Sequence, residues 1–217
     1  MFLYKHHLYR VKGLARSILL AVVLIVSSFG SAFSQGEYLE RGQDGSGFGM
    51  GFGYSRPANV AAIEGSVGYS RKGIFDLGIS VSQLSFNTNR APGFSFNPHA
   101  TLHIKPDTIP VFGSVTAGYE WASGVSQGSF LTLGASISWN IRPTSMLYFQ
   151  PTFGLTFLNG KVEAGGYSLD SESRASLAGL SIVLRTTSKN SLVIEPALGW
   201  EKDQKSYSVF IAYILGK

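Results

Sequence analysis

The sequence predicts an all-β fold, a transmembrane up-and-down antiparallel β-barrel of about ten strands with eight as the alternative, and three observations carry this. Apolar residues alternate with small or polar ones from residue 46 to the end, in blocks of about ten to thirteen residues. The apolar face of these blocks holds no Lys, Arg, Asp or Glu between its ends. The other face is mostly Gly, Ser, Thr and Asn, where a soluble strand would turn charged side chains to water. Period two specifies strands. A charge on a lipid-facing wall costs about 2–4 kcal/mol at the midplane, and small side chains suit the inside of a narrow barrel.

The chain has 217 residues and no Cys, which excludes disulfides and thiolate metal sites. Lys5, Arg10, Lys12 and Arg16 precede an apolar run from Ile18 to Val26, and Ala32-Phe33-Ser34 stands before Gln35. That order is a signal peptide over residues 1–34. Its apolar core is shorter than the roughly 20 residues of a spanning helix. Four of the 18 basic residues and none of the 13 acidic ones lie in this leader, which leaves 14 against 13, a net +1. The basicity thus belongs to export and gives no argument for nucleic acid. Residues 35–45 read as a flexible lead-in and 46–217 as the barrel, placed in a bacterial outer membrane.

Strands are expected at 46–54, 59–70, 74–86, 93–105, 111–122, 129–141, 146–158, 175–186, 191–201 and 206–216. In the first block Phe48, Met50, Phe52 and Tyr54 alternate with Gly47, Gly49, Gly51 and Gly53; without it eight strands would remain. Between 93 and 105, Phe94, Phe96, Ala100, Leu102 and Ile104 oppose Ser95, Asn97, His99, Thr101 and His103. Leu131, Leu133, Ile137 and Trp139 oppose Thr132, Gly134, Ser136 and Ser138; Phe149, Phe153, Leu155 and Phe157 oppose Gln150, Thr152, Gly154 and Thr156. An even strand number puts both ends of a closed barrel on one side, and closure leaves no unpaired edge in lipid.

With odd strands running outward, Tyr54, Tyr119, Trp121, Trp200 and Tyr207 fall near the outer interface, with Phe94 and Phe157. Tyr69, Trp139 and Tyr213 fall near the inner one, with Phe75. These are the two aromatic girdles expected of such a wall. The inner connections Arg71 to Gly73, Pro106 to Pro110, Arg142 to Ser145 and Thr187 to Asn190 are short, and the longest connection, Asn159 to Arg174, lies outside. Pro98, Pro151 and Pro196 fall inside strands, where tolerated bulges are the expected accommodation.

The leader ending Ala32-Phe33-Ser34-Gln35, the alternating blocks and runs such as Ile194-Glu195-Pro196-Ala197-Leu198-Gly199-Trp200 resemble the small outer-membrane barrels related to the OmpA transmembrane domain, OmpX and OmpW. The resemblance is one of pattern over about residues 46–217. It implies partners in outer-membrane lipid and the barrel-assembly machinery. Many such barrels end in an aromatic residue, whereas this chain ends Leu215-Gly216-Lys217, with Tyr213 as the nearest substitute.

Chemistry is sparse. The residues expected to face the lumen and form a polar network are Glu64, Asp76, His99, His103, Glu120, Arg185, Glu195 and Glu201. His99 and His103 share a strand face about 13 Å apart at 3.3 Å per residue, too far to chelate one ion. Gly45 to Gly53 has strict period two and is no nucleotide fingerprint, and His-Glu-x-x-His does not occur. The expectation is no catalytic residue, no metal and no cofactor. A structural or surface-interaction role follows, with a lumen mostly filled by side chains and a surface partner reached through loop 159–174. The alternatives are a narrow channel for ions or small solutes, a secretion or assembly factor, and an outer-membrane enzyme.

Overall fold

The computed structural model describes residues 46–57, 60–86, 92–105, 110–124, 127–164, 167–201 and 204–216. The expected signal peptide and lead-in lie outside these. Ten antiparallel strands close into one barrel: β1 (Gly47–Pro57), β2 (Val60–Arg71), β3 (Phe75–Phe86), β4 (Gly93–Ile104), β5 (Val111–Ser123), β6 (Gln127–Trp139), β7 (Leu147–Ala164), β8 (Tyr167–Arg185), β9 (Asn190–Glu201) and β10 (Gln204–Gly216). Each strand pairs with its sequence neighbours and β10 pairs with β1. The Gly-rich first block is therefore a full strand, and the eight-stranded alternative falls.

Every ladder holds one register from end to end. Carried once around the wall, these registers return to β1 about 12 residues farther along. Ten strands with that stagger tilt by about 40° and enclose a backbone radius of about 10 Å, at 3.3 Å per residue and about 4.8 Å between strands. Inward side chains from opposite walls meet across such a space.

The constant register corrects the reading of the prolines, which sit in no bulge. Pro98 keeps its partner Ile79 on β3, and pairing with β5 skips only from Phe96–Trp121 to His99–Gly118. Pro196 likewise keeps Val209 on β10, while pairing with β8 skips from Gly179–Ala197 to Ile182–Ile194. Pro151 keeps Leu180 on β8. Each ring removes one donor from one ladder, and the intact ladder on its other side fixes the strand.

The second correction concerns residues 159–174. Their described residues are strand: β7 runs 18 residues and β8 runs 19, paired from Leu147–Leu184 to Ala164–Tyr167. Alternation continues past the apolar belt. Leu158 and Val162 turn inward, while Asn159, Lys161 and Glu163 face out beside Glu172, Asp170 and Ser168. Charges on the outward face mark where the wall leaves hydrocarbon, and strand geometry goes on beyond that level. The paired ribbon projects past the barrel rim, and β6 follows it as far as Gln127–Glu163.

At the other end the connections are tight. Lys72 and Gly73 both have left-handed φ, 56° and 60°, between Arg71 and Ile74, the backbone of a two-residue type I′ hairpin. The Lys72 amide donates to Ser46 Oγ at 3.1 Å. The Thr144 and Thr187 hydroxyls accept from the Leu147 and Asn190 amides at 3.0 Å each.

The outside of the wall is a continuous apolar belt. Val67, Leu77, Ile137, Phe153 and Leu198 are all more than half exposed. A face of this kind has its solvent in lipid hydrocarbon. The molecule is a membrane barrel.

Candidate functional site

Among the described residues, buried polar groups gather in the lumen, whose side chains are arranged in layers. At the end of the short turns, Tyr148 (β7), Val183 (β8), Val193 (β9) and Ile214 (β10) pack as one apolar cluster, with Phe112 buried on β5. Lys105 Nζ stands 5.7 Å from the Phe112 ring centre, and the Arg142 guanidinium 5.3 Å from that of Tyr148. Each cation faces an aromatic ring at the mouth, the geometry of a cation–π contact.

Above it, β3, β4 and β5 are tied by a buried chain of hydrogen bonds. His103 Nε2 lies 3.2 Å from Asp76 Oδ2, and His103 Nδ1 lies 2.8 Å from Ser114 Oγ. The connectivity is that of a hydrolase triad. All three residues, however, are at most 5% exposed. A nucleophile so enclosed meets no substrate, and the chain acts as a clamp across three strands. Thr101–Thr116 at 2.8 Å and Ser138–Thr152 at 2.7 Å add similar cross-strand bonds.

In the middle layer the glycines decide the packing. Gly51 and Gly53 leave β1 bare where the Phe210 ring enters, and a Cβ at either would collide with it. Gly78 does the same for His99, whose Nδ1 lies 3.4 Å from the Asn97 carbonyl oxygen. Across the lumen, the Ser181 hydroxyl donates to Glu195 Oε1 at 2.9 Å.

The outer layer is mixed. Ala122, Phe130, Leu158, Val162, Ala175, Leu177 and Ala197 form an apolar cluster on β5 to β9. Leu84 on the facing wall is fully buried. Beneath this lid Glu64 and Glu120 are buried and near enough to repel one another. Glu64 Oε1, Asn97 Oδ1 and Thr132 Oγ1 are buried without a hydrogen-bond partner.

All eight residues expected in the lumen are at least partly buried on the inner face. Asp76 joins His103, Glu64 lies near Glu120, His99 approaches the Asn97 carbonyl, and Glu195 and Glu201 accept from Ser181 and Ser173. Arg185 is half-buried at the inner end, and its amide donates to the Met146 carbonyl at 2.8 Å. Among the described residues, no three His, Asp or Glu side chains converge on a metal position. Sequence reasoning missed the apolar layers. Phe112, Phe130, Tyr148 and Ile214 share parity with the small face of their blocks, which was the available signal.

On the outward face, Phe48 and Tyr69 meet at 4.9 Å with tilted rings, and Trp139 meets Phe153 at 6.0 Å, toward the inner end. Trp121 contacts Tyr119 at 4.4 Å and Phe96 at 5.8 Å toward the outer end. Tyr54, Trp200 and Tyr207 are exposed at that outer level, and Tyr213 is half-buried at the inner one.

No protein-family model matches the chain, and no curated protein matches it. Solved structures do. The translocator domain of the autotransporter NalP from Neisseria meningitidis aligns with TM-score 0.51 and 14% identity over 84% of this chain and 92% of that one. Neisserial surface protein A gives 0.44 and 9% over 79% and 97%. Ail, the attachment invasion locus protein of Yersinia pestis, gives 0.41 and 10% over 78% and 96%. At such identities the likeness shows the fold alone: this is the fold of the small bacterial outer-membrane barrels.

Proposed function

We propose that the chain is a closed, non-catalytic barrel of a bacterial outer membrane that presents the β6–β7–β8 ribbon to a macromolecule outside the cell. The observation that supports this is two sets of buried apolar side chains in the lumen, Phe130 and Leu84 in the outer half and Tyr148 and Ile214 at the inner end, each at most 2% exposed. Apolar side chains at a narrow point oppose the passage of water and ions by dewetting it. Export through the leader, insertion by the barrel-assembly machinery and lipid as the surrounding partner belong to the same reading. The ribbon replaces the loop once expected as the contact surface. Its outward face sets Lys161 against Asp170 and Asn159 against Glu172. Beyond Ser176 it has no β9 pairing among the described residues, which leaves backbone groups available to a partner strand.

Planar-bilayer recording tests the reading. The folded chain is expected to give no discrete conductance steps, and Phe130→Ala combined with Leu84→Ala to produce them. Steady steps from the unaltered chain, with ion selectivity that changes in Glu64→Gln, would instead establish the narrow channel.

A further inference from the structure

We propose that the outward wall over β8 to β10 and β1 to β3 binds one phosphate-bearing glycolipid of the outer leaflet. Its headgroup would lie on Arg174, Lys205 and Arg56, and one acyl chain in the groove beside Gly65. The site rests on the orientation given above, with the β7–β8 ribbon outside.

Two independent features meet there. The first is a row of cations at one height. Lys205 pairs directly with Trp200 across β9 and β10. Arg56 on β1 pairs with Tyr207, two residues from Lys205 on the same outward face. Arg174 lies two residues from Ser176, the partner of Trp200 on β8, and stands 5.6 Å from the Phe157 ring centre. All three cations are exposed. At that level β2 to β6 turn out Ile63, Gln83, Phe94, Trp121 and Leu131, with no cation among the described residues. Among the described residues, the outward-facing cations at that level lie on one side of the rim. Isolated snorkelling side chains would show no such sidedness.

The second feature is a groove of about 590 Å³ on the outward face of the same strands, lined by Phe52, Gly65, Val67, Val81 and Ile211 among others. Gly65 makes it: a Cβ there would meet nothing within 4 Å. The groove begins below Arg56 and runs toward Tyr213. Cations at the headgroup level over an apolar channel are the chemistry of an anionic lipid.

Native mass spectrometry of the folded chain, released from detergent, tests this with three probes: bisphosphorylated lipid A, the same lipid without phosphates, and inorganic phosphate. One bisphosphorylated lipid should be retained per chain, the stripped lipid about tenfold more weakly, and phosphate not at all. Arg56→Gln with Lys205→Gln should lower retention about tenfold, and so should Gly65→Phe, which fills the groove and leaves every charge in place. A heat-dependent gel shift verifies that each variant folds. Equal retention of the two lipids, displacement by phosphate, or unaltered retention by either variant overturns the site. Labelling of Lys161 on intact cells separates the two readings. If Lys161 labels only in opened cells, orientation and site fall together. If it labels from outside and discrimination is absent, the lipid site alone falls.

Discussion

Asp76 and His103 show what a single buried pair does in a wall this thin. Removing one partner leaves the other buried without its charge-assisted bond, which typically costs about 3–5 kcal/mol. Asp76→Ala is expected to lower unfolding stability in urea by about that amount, whereas Ser114→Ala, which removes the hydroxyl beside His103 Nδ1, should cost about 1 kcal/mol. Because all three residues are enclosed, a fluorophosphonate probe is expected to leave Ser114 unlabelled in the folded barrel; labelling would restore the enzyme reading. The polar identity of these residues was legible from parity alone. Their connection was not, because which inward side chains meet depends on the stagger between strands, and alternation carries no register across a gap of unknown turn geometry. The same holds for the lid: Phe130 has the parity of Thr132, but only the tilt brings it against Leu158 and Leu177.

At the scale of the strand, the prolines and the ribbon teach opposite lessons. The prolines look like defects in sequence, yet the ladder beside each keeps its register. Pro151→Ala is therefore expected to shift stability by less than about 1 kcal/mol in the same urea series, where relief of a true bulge would alter the neighbouring pairs and cost more. The sequence places a connection at 159–174, where the outward face turns polar and charged. Hydrocarbon stops there, but hydrogen bonding between β7 and β8 does not. Replacing residues 161–170 by a two-residue Asn-Gly turn should leave the heat-dependent gel shift of the barrel intact, since among the described residues Val162 is the one buried apolar side chain it removes, and should abolish whatever surface binding the protein has.

For the molecule as a whole, lipid decides the energetics. About ten residues of each strand, tilted by about 40°, give a belt roughly 25 Å tall, the height of a membrane barrel's apolar band. Val67 lies near the middle of that belt and is 59% exposed, with no neighbour to share a charge. Gln83 lies two residues beyond Val81 on β3, at the level where Arg56 and Lys205 already face out. The same substitution at the two heights isolates depth from side-chain size. In lipid vesicles, Val67→Arg should destabilise the barrel by about 2–4 kcal/mol and Gln83→Arg by at most about 1 kcal/mol. A water-exposed wall would make the two equal, because an arginine on a solvated strand costs little wherever it sits. The difference between the two positions, read from their unfolding midpoints, is therefore a direct measure of the membrane this wall was built to face.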